Sequence, residues 1–196
     1  MNIPMTTYFL IGLITIIGIG FLIRIANKNE MQITEQDQHT KKSNEQNPYL
    51  DMREMAFNTK VDQIGLENIA DDKVYGLITE IAMNPGSVTV VSFLTGDTSI
   101  YLSSGGGFIG AGQHEEVRKM VAEKVDGFQK FIYKANKIDK PDLPEDGTVN
   151  FNFLTKNGIY LITQNMADLE SGKSEQSSLF TEVNQIITQI RLKSNQ

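Results

Sequence analysis

No charged side chain occurs between Met1 and Ile23, no cysteine occurs anywhere, and there are only two histidines, His39 and His114. Each absence excludes something. Without cysteine there are no disulfides, no thiolate metal sites and no lipid attachment at a processed cysteine. The compartment stays open, because reducing and oxidising locations both tolerate that lack. A zinc site needs three or four ligands, and beyond His114 the chain offers only His39, so no metal is expected. Basic charge is also scarce. The chain has 18 Lys+Arg against 24 Asp+Glu, net −6, and residues 50–196 hold 14 and 20 of these. A domain so acidic, with no basic stripe, repels phosphate backbones, so nucleic acid is not an expected partner.

The uncharged run itself is the strongest signal. About twenty residues of helix rise about 30 Å, the hydrocarbon thickness of a bilayer. No Lys or Arg precedes it, and Arg24 sits two places before Ala26, the best small residue for cleavage. The run is therefore read as an uncleaved, single-pass transmembrane anchor over residues 1–25, with the lipid bilayer as its partner, rather than as a signal peptide. Gly12, Gly18 and Gly20 form no small-xxx-small pair, so the anchor predicts no specific dimer. Arg24 and Lys28 follow the span, and the positive-inside bias puts the C-terminal side in the cytoplasm.

Residues 26–49 are rich in Asn, Gln, Glu and Lys and nearly free of large apolar groups, the composition of a flexible polar stalk. His39 lies in it as a solvated residue. Residues 50–196 are one domain's worth of chain, enough for a real core. A short helical turn is expected at Leu50–Phe57, with Ile64 and Leu66 after it as core plugs.

From Val74 the apolar period becomes two, with Tyr75, Leu77, Thr79, Ile81 and Met83 on one face. Asn84-Pro85-Gly86 supplies a turn, Ser87–Thr95 a β-branched strand, Gly96-Asp97 a hairpin and Thr98–Ser104 a third strand. A helix over His114–Ala135 carries one apolar stripe from Val117 to Ala135. Then Val149, Phe151 and Phe153 point inward while Asn150 and Asn152 face out. Asn157-Gly158 turns the chain into Ile159–Gln164, and a final helix covers Ser177–Lys193, with Arg191 and Lys193 at the negative end of its dipole.

The expectation is an α+β fold, a five-stranded antiparallel sheet in the order β-β-β-α-β-β-α with helices packed on it. In its element content this resembles profilin-like and longin-type modules. The element order departs from both, so the resemblance implies architecture alone, and no function passes through it.

One passage could carry chemistry. Ser103 to Val117 reads SSGGGFIGAGQHEEV and places Gly105, Gly107 and Gly110 in GxGxxG spacing between a strand and a helix. Glycines there let a backbone approach a pyrophosphate at a helix N-terminus. Against a dinucleotide site, the helix starts several residues after Gly110, no Gly-Lys-Ser/Thr follows, and no Lys or Arg lies between Thr98 and Val117. Thr155 and Lys156 also stand where the ribose-binding acid belongs. Three readings stay open. The glycines are a structural bulge with Phe108 and Ile109 pinning the loop; or Ser103, Ser104, Gly105, Gly106, Gly107, Gly110 and His114 bind a small anion; or the loop docks a partner. Glu115 and Glu116 suit a helix's first turn without catalysis, and no Ser-His-Asp assembly can be traced. No catalytic residue and no cofactor is expected. The leading functional expectation is a non-enzymatic binding or scaffold module near the membrane with a protein partner. The alternative is a tethered anion sensor or enzyme using the Gly105–His114 loop.

Overall fold

The computed structural model describes residues 47–194. The expected anchor and nearly all of the expected stalk, His39 included, lie outside the described residues. Among the described residues no helix is long and apolar enough to cross a membrane.

The domain is α+β, as expected, around a fully antiparallel sheet. Its strands are β1 Gly76–Ala82, β2 Ser87–Phe93, β3 Thr98–Leu102, β4 Gly107–Phe108, β5 Asn136–Ile138, β6 Thr148–Thr155 and β7 Gly158–Asn165. Their spatial order is β4-β3-β2-β1-β6-β7-β5. Among the described residues the count is seven rather than five. The two additional strands are short ones at the two edges, too brief to leave a periodic trace, and their shortness limits the unpaired edge offered to another chain. The helices are α1 Pro48–Asn58, α2 Glu115–Gly127, α3 Met166–Glu170 and α4 Ser177–Ser194.

One face of the sheet packs on α2 and α4. Leu77, Ile81, Val90, Ile100, Phe151 and Phe153 meet Val117, Val121 and Val125 of α2 and Leu179, Phe180, Val183 and Ile186 of α4. Each such side chain contributes about 1.5–3 kcal/mol by leaving water. The apolar stripe expected across His114–Ala135 packs on the core, with Met120, Ile132 and Ala135 partly buried, but the α-helix stops at Gly127. It continues as a 3-10 helix over Phe128–Lys134. The tighter turn sets Phe128 and Phe131, three apart, on one buried side.

The other face is covered too, and here several expectations change. A second cluster joins Ala56 of α1 to Tyr75, Ile78, Val91, Phe93 and Leu154, with Ile64 and Leu66 packed against it as the expected plugs. Tyr75 belongs to this cluster rather than to the Leu77 face, because it precedes the first residue of β1 and escapes its alternation. Asn150 and Asn152 are buried beneath the second layer rather than solvated. Helix α1 opens at Pro48, capped by the Asn47 side chain, which accepts from the Tyr49 amide at 3.1 Å. Tyr49, which the composition of its neighbours assigns to the stalk, is 3% exposed and belongs to the folded domain.

The last hairpin differs by one residue. Thr155 pairs with Gly158, so Lys156-Asn157 are the turn residues and Gly158, at φ 124°, is the first residue of β7. Helix α3 replaces part of an expected loop. The Asn165 side-chain oxygen Oδ1 caps it by accepting from the Ala167 amide at 2.9 Å, and Leu169 anchors it in the core.

Candidate functional site

The glycine-rich passage is where the sequence places chemistry, and most of its glycines are needed by the backbone. Gly107 sits in β4 opposite Tyr101, at φ 149°, and a Cβ there would lie 2.1 Å from the Ile100 carbonyl oxygen. Gly112 is pressed on the β2–β3 turn, where a Cβ would lie 2.6 Å from the Gly96 carbonyl oxygen. No side chain but hydrogen fits either place. Gly105 and Gly106 adopt positive φ in the turn into β4, while Gly110, at φ 74°, leads into a short 3-10 turn over Ala111–Gln113.

The seven residues expected to act together do not all converge. Ser103 is committed to the sheet, its hydroxyl oxygen accepting from the Ser87 amide at 2.7 Å. Gly107, Gly110 and His114 border a depression of about 280 Å³, together with Gln113 and with Ile190 and Lys193 of α4. Ser103, Ser104, Gly105 and Gly106 are not on its wall. Phe108 is half-buried against the main core, as the pinning role requires, whereas Ile109 stands 72% exposed beside the depression. The Lys193 ammonium is 3.1 Å from Glu116, so the cation on the wall of the depression is partly neutralised. His114 is exposed and its side chain does not cap α2. Among the described residues no group of three or more His, Asp or Glu could hold a metal ion.

The most concentrated polar chemistry lies on the opposite face of the sheet, between α1 and the central strands. Glu80, in the middle of β1, is completely buried. Arg53 of α1 donates to both its oxygens, Nε to Oε1 at 2.6 Å and Nη2 to Oε2 at 2.9 Å, and Nη2 also donates to the Pro141 carbonyl at 3.0 Å. Burial would lower the Arg53 pKa, but the hydrogen bond and charge of Glu80 outweigh it and raise the value, which keeps the guanidinium charged. The guanidinium also lies 4.8 Å from the centre of the Phe57 ring.

Around this pair, the Thr89 hydroxyl donates to Glu80 at 3.4 Å and shares a hydrogen bond with the Tyr49 hydroxyl at 2.9 Å. Asn152 donates to the Ile78 carbonyl at 3.2 Å and to Glu80 at 3.5 Å. Among the described residues, the Asn152 side-chain oxygen Oδ1 is the one buried side-chain polar atom without a hydrogen-bond partner. Nearby, burial pushes the phenols of Tyr75 and Tyr101 above the ordinary tyrosine range, and a hydrogen bond with Ser99 draws Tyr101 part of the way back.

A bidentate pair with both partners desolvated fixes the position of α1 rather than offering a reactive group. Sequence reasoning missed it because Arg53 and Glu80 are 27 positions apart. One local signal existed: a carboxylate in the middle of an otherwise apolar central strand requires a cation. Comparison with known families, with curated proteins and with solved structures finds no match.

Proposed function

We propose that the chain is a single-pass, membrane-anchored protein. Its acidic α+β domain serves as a non-enzymatic binding or scaffold module near the membrane, on the cytoplasmic side. The observation that carries this reading is the uncharged run Met1–Ile23 followed by Arg24 and Lys28. It is supported by the uses found for the two groups of residues best suited to chemistry. Arg53 and Glu80 neutralise each other inside the domain, and Gly107 and Gly112 serve backbone approach. A polar segment of about 20–25 residues would let the domain range by an r.m.s. of about 25–30 Å from its anchor, suited to meeting partners close to the membrane.

The test is fractionation with sidedness. The full chain should float with membranes, resist alkaline carbonate extraction, and lose its domain to protease in inverted but not right-side-out vesicles. Recovery in the carbonate supernatant refutes the anchor, and cleavage from the outer face refutes the orientation.

A second reading, a tethered sensor for a small anion at the Gly105–His114 loop, is favoured by the depression that Gly107, Gly110 and His114 share with Lys193. Inorganic phosphate should then raise the thermal midpoint, and His114→Ala should abolish the shift without unfolding the domain. A midpoint indifferent to phosphate removes this reading.

A further inference from the structure

The turn between β6 and β7 carries the chain's one Asn-Gly dipeptide, Asn157-Gly158, and the fold leaves it chemically open. Other described asparagines are shielded or held. Asn47 and Asn84 precede proline, whose nitrogen has no proton to give up. Asn150, Asn152 and Asn184 are buried, and Asn165 commits its side-chain oxygen to the cap of α3. The exposed Asn58, Asn68 and Asn136 are followed by Thr59, Ile69 and Lys137, whose Cβ atoms crowd the next nitrogen.

Asn157 is exposed, and its side-chain amide makes no hydrogen bond among the described residues. Gly158, lacking a Cβ, leaves its own nitrogen unshielded. From the neighbouring β5, Lys137 comes close: a Cβ on Gly158 would lie 3.0 Å from its Cε and 3.7 Å from its Nζ. That ammonium is exposed and has no ion-pair partner among the described residues. Positive charge beside Gly158 favours loss of a proton from its nitrogen.

We propose that Asn157 is a self-modification site, deamidating through its own backbone with Lys137 assisting. The Gly158 nitrogen bonds to Asn157 Cγ, the Cγ–Nδ2 bond breaks, and the Gly158 proton leaves with Nδ2 as ammonia. Water then opens the cyclic imide, its hydroxyl going to carbon and its proton to nitrogen. Opening at Cγ gives aspartate. Opening at the main-chain carbonyl gives isoaspartate, in which the backbone runs through the former side chain and gains one atom.

The product matters because this turn is a clamp. The Asn157 amide donates to the Asp71 carbonyl at 3.2 Å, and the Lys156 ammonium donates to the Glu67 and Ile69 carbonyls at 2.7 and 2.5 Å. Ile69 in turn packs on the second-face cluster. A hairpin's register is fixed by its turn, so an added backbone atom draws the clamp away from residues 67–71. The modification is a slow, one-way loosening of that face, and it rests on neither the membrane reading nor the glycine loop.

The test ages the full chain in a non-ionic detergent at mildly acid and mildly alkaline pH, with peptide mass spectrometry as the readout. Asn157 should convert before any other described asparagine, to aspartate and isoaspartate, faster in proportion to hydroxide. Lys137→Gln should slow the conversion about twofold, the weight of one exposed charge. Lys137→Arg, which keeps the charge, should keep the rate, and circular dichroism confirms that both variants are folded. The isoaspartate fraction should melt below the unaged protein, while Asn157→Asp, with no added backbone atom, should keep the parent's thermal midpoint. The proposal is overturned if Asn157 survives in the folded chain while converting in the urea-unfolded one, or if another described asparagine converts first. It is equally overturned if Lys137→Gln reacts at the parent's rate, or if isoaspartate leaves the thermal midpoint unchanged.

Discussion

The Arg53–Glu80 pair allows the sharpest test of how this domain holds together. Arg53→Ala removes the guanidinium and leaves the Glu80 carboxylate, 0% exposed, with only the Thr89 hydroxyl at 3.4 Å and the Asn152 amide at 3.5 Å. Both contacts are long, and neither carries charge. Stranding a buried charge in this way costs about 3–5 kcal/mol. At about 2–4 °C per kcal/mol for a domain of this size, the thermal midpoint should fall by on the order of 10 °C. Arg53→Lys keeps the charge but has one nitrogen where the guanidinium uses two, and should lose about 1–2 kcal/mol. Arg53→Met with Glu80→Leu removes both charges together, so most of the single-variant loss should be recovered. The assay is urea unfolding of residues 47–194 followed by circular dichroism, with the unsubstituted protein, Arg53→Met, Glu80→Leu and the double variant forming a double-mutant cycle. The reasoning is refuted if Arg53→Ala costs less than about 1 kcal/mol, or if the double variant is as unstable as the two single losses added.

Three further outcomes follow from the geometry. Gly127→Ala should stabilise by about 0.4–1 kcal/mol, because Gly127 has φ −68° at the end of α2 and a Cβ there meets nothing within 4 Å; an unchanged or lower urea midpoint contradicts this. Gly107→Ala should destabilise more than Gly105→Ala. Both have positive φ, but only the first drives a Cβ to 2.1 Å from a carbonyl oxygen, and comparing their thermal midpoints checks the order. The third outcome concerns alkali. Because folding raises the pKa of Tyr75 and Tyr101, the unfolded chain ionises first. The stability these phenols contribute is whole below pH of about 10 and is lost as pH rises through their higher folded values. Urea midpoints measured from pH 8 to 11 should fall above pH of about 10, less steeply in Tyr75→Phe, at a cost of about 1 kcal/mol for the lost bond to the Thr59 carbonyl. A slope unchanged in Tyr75→Phe removes that phenol from the account.

The glycine passage shows how far local pattern reaches toward a candidate site. GxGxxG spacing between a strand and a helix is visible in the sequence, and Gly107, Gly110 and His114 do border one depression. That Ser103 is tied to the Ser87 amide, and that Gly107 is held against Ile100, follows from β2–β3 and β3–β4 pairing. No spacing rule contains those partners. Ile190 and Lys193 complete the same depression from the far end of the chain, and nothing near the glycines announces them.

What the sequence determined by itself is the set of local periods. Alternation over Val149–Phe153, β-branched residues over Ser87–Phe93 and the helical stripes on α2 and α4 each state which side is apolar, because strand and helix geometry assign faces without reference to neighbours. Tertiary structure alone decided what covers the remaining side. Asn150 and Asn152 look solvent-facing by alternation, yet α1 and the segments around it close over that face, and Glu80 there is stable because Arg53 arrives from a helix 27 positions earlier. A polar residue in a strand reports only that it needs hydrogen bonds. Whether water or a distant side chain supplies them depends on how the chain packs in space.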